Sequence, residues 1–122
     1  MVLRRLLGKP KQKLDAATGD LLVLAQLEKA GADLSRPREL VHYLYAPSNE
    51  AGDAAAEELR AQGYAVEVTP AAGLKEGDPN PWLVLARIDA VVNSERVGWE
   101  RARFEELARK HGGGYDGWEA AL

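Results

Sequence analysis

The chain has 122 residues, 46% of them apolar and 29% charged, with a formal net charge of −3 and no cysteine. That length suits one domain with one core, and the composition excludes a disulfide framework, a thiolate metal site and a cysteine nucleophile. No apolar run approaches a membrane span, and the opening Met1-Val-Leu-Arg-Arg-Leu-Leu-Gly is too short and too charged for a secretory signal, so the expected setting is cytoplasmic.

The charge is unevenly spread. Residues 1–13 hold five basic side chains and no acid, which leaves 11 basic and 19 acidic side chains on the remainder, a net of −8. The expected division is a basic N-terminal arm over residues 1–14 and a single domain over residues 15–122. Such an arm is either a solvated segment or an electrostatic contact with nucleic acid, a membrane or the protein's own acidic face. The acidic body argues against broad binding to a phosphate backbone.

Residues 4–13 show no strong pattern, and Pro10 interrupts any helix there. Asp15 or Thr18 is a candidate cap for a first helix over residues 16–30, ended by Gly31, with Ala16, Ala17, Leu21, Val23, Leu24 and Leu27 on one broad side. Residues 39–46, Glu-Leu-Val-His-Tyr-Leu-Tyr-Ala, are rich in β-formers and read as a first strand. Ser48 or Asn49 then caps a helix over residues 50–62, with Gly63 after it. Its inward stripe of Ala51, Ala55 and Leu59 is small enough to lie close on a sheet.

Residues 64–69 alternate cleanly, with Tyr64, Val66 and Val68 inward, and give the second strand. Pro70 to Pro81 is a long connection. Residues 82–91 form the third strand, with Trp82, Val84, Ala86 and Ile88 on one face and Arg87 and Asp89 on the other. Asn93 or Ser94 caps a third helix running to about Lys110, with Val97, Phe104, Leu107, Ala108 and His111 as its stripe. Gly98 is a weak point in it. Residues 114–120 close the fold as a strand, because a frayed tail does not hold two large aromatics such as Tyr115 and Trp118.

After the first helix the order is βαββαβ. The expectation is an α+β, ferredoxin-like sandwich: a four-stranded antiparallel sheet, two helices on one face, and an extra N-terminal helix. The first and third strands belong in the centre and the second and fourth at the edges, where either could pair across a two-fold axis to give a homodimer.

Chemistry is sparse. Neither His42 nor His111 stands in metal-ligand spacing, and His42 has no nucleophile beside it in sequence. Gly112-Gly113-Gly114 follows a helix and so lacks the N–H groups of a phosphate loop. Asp116 and Glu119 form no acid–base pair legible from sequence. No metal, cofactor or catalytic residue is therefore expected.

The aromatics say more. With Leu40, His42, Leu44 and Ala46 facing the helices, Val41, Tyr43 and Tyr45 fall on the open sheet face beside Arg87. Aromatics and arginine there could stack single-stranded RNA, although Glu67 and Asp89 share the face and the usual glycine–aromatic signature is absent. Trp99 falls opposite the core stripe of its helix, among Glu95, Arg103, Glu106 and Lys110, where an exposed indole is a candidate protein contact.

His42-Tyr-Leu-Tyr45, the alanine-rich helix ending in Gly63-Tyr-Ala-Val-Glu-Val68, and above all Tyr115-Asp-Gly-Trp-Glu119 carry a resemblance. From about Leu21 to Glu119 the chain resembles the regulator of ribonuclease E activity B family. The resemblance implies a ferredoxin-like domain acting as a non-enzymatic, bacterial, cytoplasmic inhibitor that docks on an endoribonuclease and alters RNA turnover. The contact residues expected on that basis are Trp99, Tyr115, Asp116 and Trp118, with Tyr43 and Tyr45 next. The alternative is direct RNA binding through Tyr43, Tyr45 and Arg87. One departure stands out: the inhibitor carries an acidic tail beyond the Tyr-Asp-Gly-Trp strand, whereas this sequence stops at Leu122 and has a basic arm instead.

Overall fold

The computed structural model describes the backbone of residues 5–7 and residues 16–122. The elements are β1 (Arg5–Leu7), α1 (Ala16–Lys29), β2 (Arg38–Ala46), α2 (Asn49–Ala61), β3 (Ala65–Pro70), β4 (Trp82–Ala90), α3 (Ser94–Lys110) and β5 (Gly114–Ala121). The α+β, ferredoxin-like order expected from the sequence folds as β5-β2-β4-β3, every pairing antiparallel, with the first and third strands of the motif in the centre.

One strand was not foreseen. β1 pairs with the outer side of β5 through Leu6↔Ala120, and so extends the sheet to five strands. The closing strand is thus an interior strand and not the edge it was expected to be. Among the described residues, β3 and the three-residue β1 are the sheet edges.

Local chemistry sets the helix limits. Ser48 Oγ accepts the Ala51 N–H at 3.1 Å and Asn93 Oδ1 accepts the Arg96 N–H at 2.7 Å, each satisfying an orphan donor of the first turn. Asp15, the alternative cap of α1, lies outside the described residues, and Thr18 falls inside the helix. All three helices end in the same pair of backbone bonds. In α3, Gly113 N–H donates to Ala108 and Gly112 N–H to Arg109, with Gly112 at φ 74°. Gly113 also passes so close to β2 that a Cβ on it would stand 1.9 Å from the Tyr45 carbonyl oxygen.

The helices cover one face of the sheet and build two adjoining cores. In the first, Ala55, Ala56 and Leu59 of α2 and Phe104, Leu107 and Ala108 of α3 pack on Leu44, Ala46, Val84 and Ala86. In the second, Val23, Leu24 and Leu27 of α1 meet Leu40, Val92, Val97, Trp118 and Ala120. Fully burying one such leucine contributes about 1.5–3 kcal/mol.

The buried spacing in α1 is Asp20, Val23, Leu24 and Leu27, the i, i+3, i+4, i+7 pattern. That centre displaces Leu21 from the core. It is 56% exposed, contrary to the sequence expectation.

Candidate functional site

Two buried carboxylates tie the helices to the sheet. Glu100 lies on the apolar side of α3 with no exposed surface. Its Oε1 accepts from Tyr64 and lies 3.2 Å from His42 Nε2, and its Oε2 accepts from Arg96 Nε at 2.6 Å. Burial works against the charge. The hydrogen bonds from His42, Tyr64 and Arg96 outweigh it and hold the Glu100 carboxyl below its usual range.

With Glu100 ionised, His42 Nε2 carries the hydrogen that it donates. In the tautomer that carries its hydrogen on Nε2, His42 Nδ1 accepts from the Tyr115 hydroxyl at 2.8 Å. Burial pushes both phenols up, Tyr64 further through the Glu100 charge and Tyr115 through Asp20 and Glu100, so both remain donors. The His42 ring stacks on Phe104 with centroids 4.0 Å apart. It is 1% exposed and both of its nitrogens are engaged, an arrangement that holds the ring in place and gives no substrate access to it.

Asp20 of α1 is the second buried carboxylate. Its Oδ1 accepts the Trp118 indole N–H and its Oδ2 accepts from Arg101 Nε, each at 2.9 Å. This corrects the sequence reading of the closing strand. Trp118 has no exposed surface, so it is a core residue and offers nothing to a partner. Tyr115, also expected as a contact, has its hydroxyl turned inward to His42.

Asp116 is half-buried and occupies an extra position in β5. The register passes from Tyr43↔Gly117 to Leu44↔Tyr115, so Asp116 is the residue of a β-bulge. Gly117 beside it has φ 115°, a conformation that favours glycine. Tyr115 and Trp118 are three positions apart and would point to opposite faces of a regular strand; the extra residue of the bulge lets both aim at the helices.

The remaining candidates lie on two sides of the molecule. Tyr43 and Tyr45 are half-buried on the sheet face away from the helices, as expected; Val41 shares that face but is buried. Arg87 stands opposite Val41 and diagonal to Tyr43, and its Nη1 is 3.4 Å from Glu67 Oε1. Trp99 is on α3, in the helix layer, and 52% exposed. The Arg103 guanidinium lies 4.4 Å from the indole centroid and that of Arg96 5.8 Å. The expected contact set therefore divides between opposite faces.

Sequence reasoning missed Glu100, Arg96 and Asp20. The signal for Glu100 was its place between Val97 and Phe104 at helical spacing, a carboxylate inside an apolar stripe. A buried carboxylate needs donors, and His42, Tyr64 and Arg96 supply them.

Among the described residues, no group of three or more histidines and carboxylates is placed to hold a metal ion, and no helix is long and apolar enough to cross a membrane. Comparison with known families places the chain among regulatory proteins. It belongs to the regulator of ribonuclease activity B family, whose model matches residues 17–120, from α1 almost to the end of β5. No curated protein matches the chain.

Proposed function

We propose that this chain is a non-enzymatic cytoplasmic regulator that docks on a ribonuclease and changes its activity by contact alone. The observation that carries the reading is Trp99: a large aromatic, half in solvent, on a helix whose other large apolar side chains, Val97, Phe104 and Leu107, are buried. Exposed tryptophan flanked by arginine is the composition of an interface hot spot. Family membership supports a ribonuclease as the partner. The sealed, doubly bonded state of His42 supports a regulator without chemistry of its own. RNA binding on the sheet face has less support, because the Arg87 guanidinium is turned to Glu67.

The test adds the purified chain to ribonuclease E and follows cleavage of a defined transcript, with binding measured by calorimetry. Saturable binding and an altered cleavage rate are expected, both lost in Trp99→Ala. Unchanged cleavage and no heat of binding would remove the reading.

A further inference from the structure

We propose that the Arg96–Trp99–Arg103 face of α3 receives an acidic extended segment of a protein partner, with carboxylates on the guanidinium groups and an apolar side chain beside the indole. The choice of a ribonuclease as owner of that segment rests on the function proposed above. The chemistry of the face does not.

The charge balance of α3 carries the inference. Arg96, Arg101 and Lys110 each meet a carboxylate, respectively Glu100, Asp20 and Glu58. Arg103 meets none. Its side-chain hydrogen bond goes to the neutral amide of Gln62, and its charge is stacked on Trp99. A guanidinium held over an indole and tied to Gln62 is preorganised for a carboxylate and has little rotamer freedom left to lose on binding. Arg96 is fixed from below by the buried Glu100, so its position beside the indole is also set before a partner arrives.

The surroundings narrow the occupant. Arg103 borders a cleft of about 250 Å³ between α2 and α3, in which Leu59, Phe104 and Leu107 give an apolar side chain a place next to the charge, while Glu58 and Glu106 on the same wall keep the partner's carboxylates to the Arg103 side. Glu95 and Glu106 are exposed one turn before and two turns after Trp99. A nucleic-acid strand brings regularly spaced phosphates past those carboxylates and onto an acidic body. A peptide can set single carboxylates on the arginines and avoid them.

The test uses the full chain and fluorescently labelled peptides: one of glutamate with interspersed leucine, its glutamine counterpart, its lysine counterpart, and a single-stranded RNA of similar length. Anisotropy at low salt should show binding of the glutamate peptide only, weakened by added salt. Arg103→Gln and Trp99→Ala should each weaken it about tenfold or more. Both sites are on the surface, and thermal melts check that the variants fold. Failure of the glutamate peptide to bind, binding that Arg103→Gln leaves unchanged, or tighter binding of RNA or the lysine peptide would overturn the proposal.

A parallel titration with ribonuclease E separates the two readings. Binding of the acidic peptide without binding of the ribonuclease keeps this face and removes the partner. Ribonuclease binding that neither Arg103→Gln nor excess acidic peptide disturbs removes this face and keeps the regulator.

Discussion

The Glu100 carboxylate meets the His42 ring at 3.2 Å across 58 residues of sequence, in a place that solvent does not reach. A helix and the central strand are thereby joined by a charge that three donors share. Removing the acceptor strands those donors. Glu100→Ala should therefore destabilise the fold by about 3–5 kcal/mol, as breaking a buried ion pair does. Glu100→Gln keeps an acceptor oxygen and should cost clearly less. Urea unfolding of both variants checks the order, and equal losses would show that the hydrogen bonds to Glu100 do not matter.

Stability should also depend on pH through this carboxyl. Its folded value is held below the usual 4.5, because its hydrogen bonds outweigh the effect of burial, and Glu58 is lowered by Lys110 and His111. A depressed acid contributes stability that is present above the unfolded value and lost as pH falls through the folded one. The melting temperature should thus decline below about pH 4.5, and Glu100→Gln should flatten part of that decline. Melts across pH 3–7, roughly, give the comparison.

Asp20 and Trp118 should act as a coupled pair. Trp118→Phe removes the indole donor, Asp20→Asn removes the charge that Arg101 also meets, and the double variant should lose less than the sum. A coupling of about 0.5–3 kcal/mol is expected from a double-mutant cycle, since both changes break the same contacts. Strict additivity would count against the indole–carboxylate bond.

Two glycines should respond in opposite directions. Gly98 lies inside α3 with helical backbone, and an added Cβ would meet only Arg101 Nη2 at 3.8 Å, an ordinary contact. Gly98→Ala should stabilise by about 0.5–1 kcal/mol. Gly113→Ala would drive a methyl into the Tyr45 carbonyl and should cost more than about 2 kcal/mol. Chemical denaturation reads both.

Much of the frame was legible because it rests on short-range rules. Ser48 and Asn93 stand where caps must stand, Gly31, Gly63 and Gly112 follow their helices, and the alternation of β2 placed His42 inward and Tyr43 outward. The candidate site was less legible. Trp99 was visible as an aromatic off the core stripe, but its stacking with Arg103 depends on rotamers. Tyr115 and Trp118 were assigned to a partner because aromatic content alone does not say which way a strand faces, and the Asp116 bulge reset that direction. β1 was missed because three residues carry no period, and its pairing is decided by β5, more than a hundred residues away.

The pairing of α1 with β5 also bears on how the molecule is made. Val23, Leu24 and Leu27 are synthesised early, yet the surfaces that cover them include Val97, Trp118 and Ala120, and the Asp20–Trp118 bond spans 98 residues. At a synthesis rate of about 5–20 residues per second, α1 waits several seconds beside the ribosome with its apolar stripe unclosed. Its docking completes the fold only when the last strand has emerged.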